Sequence, residues 1–379
     1  MEADIQNRMA ERGGLRNFEK KEIFEKKEMR RTCFHDRERE IEEIMNILNT
    51  EPTLITFIYG PINSGKTELI NHLAEQLPEN YVVFNVNLRG KFISDYRDFV
   101  RALFKIEREK TYKDIIRKIS EVSVKALNFV GIPVTEDILN LLFKERTYED
   151  VFEFLEDYFM KIGENKNSVL ILDELQVIKD VKVDELLIYK LFNFFIRLTK
   201  ELHLCHVFAI TSDALFVERI YREAMLQGRC RYLFVDDFDY ETAIAFLNKY
   251  KFGEKEREMV WEYVGGKPVY LVELANAKMN GKDIEEEVKK LLKIRTNQIL
   301  SIFDEISLRK VEYSEEAIME EFRRFEREEI IQYDRMNKEK IFLVERNILF
   351  IDPIQRTVKP QSKLDLLAIR NVLKCEKKK

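Results

Sequence analysis

The eight residues Gly60-Pro61-Ile62-Asn63-Ser64-Gly65-Lys66-Thr67 constrain this chain more than any other stretch. Ahead of them runs Leu54-Ile55-Thr56-Phe57-Ile58-Tyr59, apolar and β-prone. Behind them Leu69, Ile70, Leu73 and Leu77 fall at helical spacing. A G-x-x-x-x-G-K-T sequence between a strand and a helix folds as a phosphate loop. Its backbone N–H groups and the positive end of the helix dipole then face a polyphosphate. Gly60 and Gly65 let the backbone close without Cβ clashes. In this geometry residues 60–67 are expected to line a nucleotide's phosphates, with Lys66 reaching the β- and γ-phosphates and Thr67 offering its hydroxyl to Mg²⁺.

The complementary acids lie about a hundred residues further on. Ser168-Val169-Leu170-Ile171-Leu172-Asp173-Glu174 reads as a second apolar strand ending in two carboxylates. An Asp at the end of a parallel strand beside a phosphate loop suits Mg²⁺, so Asp173 is the expected metal ligand with Thr67. Glu174 is the expected general base for water.

Length and composition set the frame. The 379 residues suggest two or three domains, and 45% apolar content supports real cores. A net charge of −5 excludes a whole-protein basic field for nucleic acid. Charged residues reach 35%, a surface that suits a hot environment. Cys33, Cys205, Cys230 and Cys375 show no C-x-x-C spacing, which points to reduced thiols in a cytoplasmic protein. No apolar run approaches membrane-spanning length, so no membrane partner is expected, and the N-terminus lacks a signal peptide's apolar core.

The order of elements predicts an α/β fold: a parallel sheet covered by helices, then a helical lid, then a winged helix-turn-helix. Residues 1–30 form a charged N-terminal extension in which Phe18-Glu19-Lys20-Lys21-Glu22 recurs as Phe24-Glu25-Lys26-Lys27-Glu28. Residues 31–236 form the nucleotide-binding core, with strands also expected at 81–86, 206–210 and 232–235. Within it, 92–166 is expected to be a helical insertion, a candidate partner surface. Residues 237–295 form the lid, with helices at 240–250, 254–263 and 269–278. Residues 296–379 form the C-terminal domain, whose hairpin is expected from Ile341-Phe342-Leu343-Val344 and Ile348-Leu349-Phe350-Ile351.

Further site candidates follow from position. Ser212 and, nearly tied with it, Thr211 end the strand expected beside that of Asp173 and can sense the γ-phosphate; either also suits a helix N-cap. Arg229, with Arg231 and Arg222 as alternatives, stands where an arginine can reach a neighbouring subunit's γ-phosphate in a homo-oligomer. Lys267 in Gly265-Gly266-Lys267-Pro268 faces the phosphates or simply closes a turn between helices. His203, Cys205 and His206 lack a second ligand pair, and no zinc site is expected. Residues 355–379 are basic and make a candidate DNA contact through the C-terminal domain, or a solvated tail.

Together these segments resemble the archaeal ATPase family of P-loop proteins, in the AAA+/STAND division. The resemblance rests on Phe34-x-Asp36-Arg37, the phosphate loop, Leu172-Asp173-Glu174-Leu175-Gln176, Thr211-Ser212, Gly228-Arg229, Gly265-Gly266-Lys267-Pro268 and Asn347-Ile348-Leu349-Phe350-Ile351-Asp352-Pro353. It covers nearly all of residues 30–370. The N-terminal repeat and the 92–166 segment depart from the family, and Leu175 replaces its usual aromatic. The resemblance implies an ATPase core, a lid and a winged-helix domain, and no particular cellular task. Three functions compete: an ATP-hydrolysing conformational switch, a DNA-binding ATPase akin to origin-recognition or mobile-element proteins, and a nucleotide-gated scaffold without turnover. A small-molecule kinase would leave the lid and winged helix unexplained.

Overall fold

Six parallel strands carry the phosphate loop: β1 (Ile55–Tyr59), β2 (Tyr81–Asn87), β3 (Leu127–Val130), β4 (Asn167–Asp173), β5 (Cys205–Thr211) and β6 (Cys230–Phe234). The computed structural model describes residues 34–376 except 110, 122–125, 145–147, 184 and 310–312. The charged N-terminal repeat, Cys33 and the last three lysines therefore lie outside the described residues. The described residues from Arg37 onward form one compact unit.

The strand order is β6-β1-β5-β4-β2-β3. All of β1 and β5 is buried, as central parallel strands packed between helices require. The register aligns Tyr59 with Thr211 and Phe234, and Asp173 with Asn87 and Ile210. The carboxyl ends of the strands thus share one edge, where open α/β sheets bind ligands.

The 92–166 segment is not wholly helical. Its helices Tyr96–Leu103, Tyr112–Glu121, Glu136–Lys144 and Tyr148–Gly163 are joined by β3, which extends the main sheet beside β2, and by a second small pair, Phe104–Ile106 with Ile132–Val134. β3 escapes the sequence reading because it is an edge strand of only four residues, alternately half-buried and exposed.

Helices Tyr240–Lys249, Glu254–Val264 and Pro268–Met279 enclose their own apolar cluster, including Ala243, Leu247, Val260, Val264, Leu271 and Leu274. Helix Ile284–Arg309 then runs unbroken through the boundary expected at 295/296. Its Val288 packs with the lid cluster, while Ile299, Ile302 and Ile306 pack with the next one.

The C-terminal part orders helix Glu315–Arg323, β7 (Ile331–Gln332), helix Lys338–Glu345, β8 (Leu349–Asp352), β9 (Thr357–Pro360) and helix Lys363–Glu376. The strands form an antiparallel sheet in the order β7-β9-β8. Ile341-Phe342-Leu343-Val344, expected as a hairpin strand, is helical instead. Asn337 caps that helix by accepting from Lys340 N at 2.9 Å, and Asn347, in the left-handed region at φ 52°, follows its end. The hairpin lies further on: Asp352 Oδ1 accepts from Ile354 N and Gln355 N, and Arg356 turns the chain at φ 54°. Phe342, Leu343 and Phe350 share one apolar cluster with Tyr59, Ala214 and Val217 of the core, so this domain is docked on the parallel sheet and its helix Ala214–Arg222.

Candidate nucleotide site

β1 delivers the chain to Gly60, where the backbone passes so close to the end of β6 that a Cβ would stand 2.1 Å from Val235 O. Only glycine permits that approach. Ser64 closes the same gap by donating its hydroxyl to Val235 O at 2.9 Å. Gly65 (φ 92°) precedes helix Lys66–Gln76, whose first N–H groups have no partner inside the helix and are the natural anion donors.

Lys66 is buried, and its Nζ donates to Pro61 O at 2.7 Å, Gly60 O at 3.1 Å and Ser64 Oγ at 3.3 Å. Burial pushes its ammonium down to about 7, and the nearby Lys267 cation adds to the fall. The negative charge of a polyphosphate beside it would oppose both causes.

Thr67 donates its hydroxyl to Asp173 Oδ2 at 2.9 Å, and Asn87 Nδ2 donates to the same oxygen at 3.2 Å. Burial raises the Asp173 pKa, while the Thr67 bond works against the rise. A hydroxyl and a carboxylate in contact beside the loop are hard oxygen donors, which fit Mg²⁺. Glu174 is held in the left-handed region at φ 62°, an uncommon conformation for a non-glycine residue and a frequent one at functional sites. Arg89, two residues past β2, binds its Oε1 through Nη2 and, at 3.1 Å, Nε. Gln176 donates to Oε2 and in turn accepts from Thr211 Oγ1 at 2.8 Å. Thr211, rather than Ser212, is thereby linked to Glu174; Ser212 follows it half-buried at the strand end.

The lid and the start of the core close the other wall. Lys267 is 3% exposed, donates to Ile62 O at 3.0 Å and pairs with Asp237 Oδ1 at 2.9 Å. Burial drives the Asp237 carboxyl up, against the pull of Lys267. Gly266 permits this closure, since a Cβ there would stand 1.7 Å from Phe238 O. Arg37 donates to Ser64 O at 2.7 Å and Asp236 O at 2.6 Å, with its guanidinium 4.6 Å from the Phe238 ring centroid.

The structure thus brings Lys66, Thr67, Asp173, Glu174 and Lys267 together. It does not bring Arg229 there. Arg229 immediately precedes β6 at the opposite edge of the sheet, where its carbonyl accepts from Ile55 N and its guanidinium donates to Met225 O. Arg231 pairs with Thr56 near that same edge, and Arg222 binds Glu218 on helix Ala214–Arg222. The sequence reading missed Arg37, Asn87, Arg89 and Gln361, the last of which accepts from Ile62 N at 3.1 Å. Asn87 and Arg89 could have been found from the βαβ order, which makes the strand of Asp173 a neighbour of β2.

Residues 34–274 match the model of an ATPase domain predominantly from Archaea. Residues 285–373 match that of the C-terminal domain of uncharacterized ATP-binding proteins like MJ1010. The chain is 45% identical over 351 residues to the uncharacterized ATP-binding protein MJ1659 of Methanocaldococcus jannaschii, covering 90% of this chain and 97% of that one. It is 44% identical over 341 residues to the uncharacterized ATP-binding protein PYRAB09480 of Pyrococcus abyssi, covering 90% and 98%. Among solved structures, the Walker-type ATPase PABY2304 of Pyrococcus abyssi superposes with a TM-score of 0.61 at 15% identity, over 89% of this chain and 96% of that one, a likeness of fold. With its phosphate loop, its paired acids and these matches along almost its whole length, the chain belongs to the archaeal ATPase family.

Proposed function

We propose that this protein binds Mg·ATP at residues 60–67 and hydrolyses it, using the cycle to move the lid and the C-terminal domain. The contact between the Thr67 hydroxyl and the Asp173 carboxylate supports this reading, because two hard oxygen donors of the kind Mg²⁺ takes stand side by side near the loop. Bound there, Mg²⁺ would offset the charge of the β- and γ-phosphates. Lys66 turns from the loop carbonyls to the phosphates, a move favoured by the poor solvation of its ammonium. Lys267 adds a second cation from the lid. Glu174 orients a water in line with the γ-phosphorus and takes its proton as the bond to the bridging oxygen breaks. For this its carboxylate has to leave Arg89 and Gln176. The Gln176 link makes Thr211 the residue that reports on the base.

The three C-terminal strands and their helices are read here as a winged helix. Helix Lys338–Glu345 packs against helix Ala214–Arg222, so presenting that face of the domain to a DNA groove would follow its undocking. The test is ATP hydrolysis by the whole chain with Mg²⁺, with and without duplex DNA. Mg²⁺-dependent turnover supports the switch, and stimulation by DNA assigns the released domain a nucleic-acid role. Absence of any turnover leaves a nucleotide-gated scaffold.

A further inference from the structure

We infer that the C-terminal domain is part of the nucleotide site, with Gln361 as a positioning residue for the phosphate loop; this rests on the reading of residues 60–67 as an ATP site. Gln361 is 3% exposed and lies 299 positions from the loop residue it touches. Its backbone N–H donates to Ile348 O at 2.9 Å and its Nε2 donates to Leu349 O at 3.1 Å. With the donor side of the amide fixed on a carbonyl, Oε1 must face outward, and it accepts from Ile62 N at 3.1 Å. The carbonyl of the same Ile62 accepts from Lys267 at 3.0 Å. One residue of the loop therefore has its donor held by the C-terminal domain and its acceptor held by the lid.

Two further contacts flank this one. Tyr59, the residue before Gly60, donates its hydroxyl to Asp352 Oδ1 at 3.1 Å. Lys359 Nζ lies 2.7 and 2.5 Å from the carboxylate oxygens of Asp236, beside the wall that Arg37 ties to the loop. Asp352, Lys359 and Gln361 all come from the hairpin of β8 and β9 and the turn after it. A purely structural interface would have no reason to end in a buried amide on the loop's own backbone. An unpaired Ile62 N–H would be costly there, so a docked domain fixes the loop's shape before phosphates arrive. A loop already ordered binds more tightly, and by linkage the nucleotide strengthens the docking by the same factor.

The test uses the full chain, titrated with the fluorescent analogue mant-ATP and Mg²⁺, together with amide hydrogen exchange of residues 349–376 with and without ATP. In the wild type, exchange in that segment slows when ATP is present. Gln361→Met keeps the side-chain length but removes both bonds; its Kd for mant-ATP rises about tenfold and ATP no longer slows exchange. Should that variant not fold, Lys359→Met, which leaves the Ile62 bond in place, also weakens the ATP-dependent slowing. The inference is overturned if the wild type binds mant-ATP while residues 349–376 exchange identically with and without nucleotide. It is equally overturned if Gln361→Met loosens the segment but binds mant-ATP as the wild type does. Failure of the wild type to bind mant-ATP at all would instead defeat the ATP-site reading itself.

Discussion

Arg89 grips Glu174 through the carboxylate Oε1, with Nε 3.1 Å away, while Gln176 occupies Oε2. Both oxygens of the proposed base are thus engaged by side chains. The Glu174 side chain is 12% exposed but that of Arg89 is 65% exposed, and solvent on the arginine side screens the pair and keeps it modest. It restrains the base without disabling it. Arg89→Ala should therefore raise ATP turnover by about three- to tenfold and leave the Kd for ATP unchanged, consistent with a restraint of about 1 kcal/mol. A fall in kcat would show that Arg89 orients Glu174 for reaction instead.

Thr67 and Asp173 are expected to act on the metal, not on the nucleotide alone. Thr67→Ala and Asp173→Asn should each lower kcat by about a hundredfold or more. Both should also abolish the gain in ATP affinity that Mg²⁺ brings, while binding in EDTA stays near the wild-type value. Titration of each variant with and without EDTA checks this; equal losses under both conditions would place these residues in general loop architecture.

Gly266 offers a stability test of the lid. A methyl group there would meet Phe238 O at 1.7 Å, and backbone cannot give way cheaply. Gly266→Ala should cost about 2 kcal/mol or more in unfolding free energy and displace Lys267 from Ile62. Chemical denaturation followed by circular dichroism reads the first effect, and an increased Kd for ATP reads the second.

His206 predicts a pH dependence. Burial holds its imidazole down at about 4, against an ordinary value of 6.5. Between those values the unfolded chain carries the proton and the folded chain does not, so stability falls as the pH drops from 6.5 towards 4. The loss is at most about 3 kcal/mol. His206→Gln should flatten that part of the stability profile. Parallel profiles for the two proteins would show that other groups set the acid slope.

What could be read from the sequence was what is local. The loop is contiguous, its flanking strand and helix are adjacent, and Asp173-Glu174 closes an unmistakably apolar run. The lid helices were legible because each has clear apolar spacing; they run Tyr240–Lys249, Glu254–Val264 and Pro268–Met279. The residues that complete the site were hidden because their meaning depends on pairing between distant strands. Arg89 matters only once β2 is laid beside β4, and Gln361 only once the hairpin docks on β1. Lys267 stands out in its Gly-Gly-Lys-Pro turn, but its grip on Ile62 O belongs to tertiary structure. Part of helix Lys338–Glu345 resembles a strand in sequence because a four-residue apolar run fits either period.

The most direct measurement is the behaviour of Glu174→Gln with Mg·ATP. The substitution keeps the shape of the side chain and removes the group that takes the proton from water. The variant should bind ATP with a Kd within about twofold of the wild type and lose about a hundredfold or more in turnover, accumulating as a stable ATP complex. Turnover at the wild-type rate would contradict the assignment of Glu174 as base and with it the hydrolytic cycle proposed for this site.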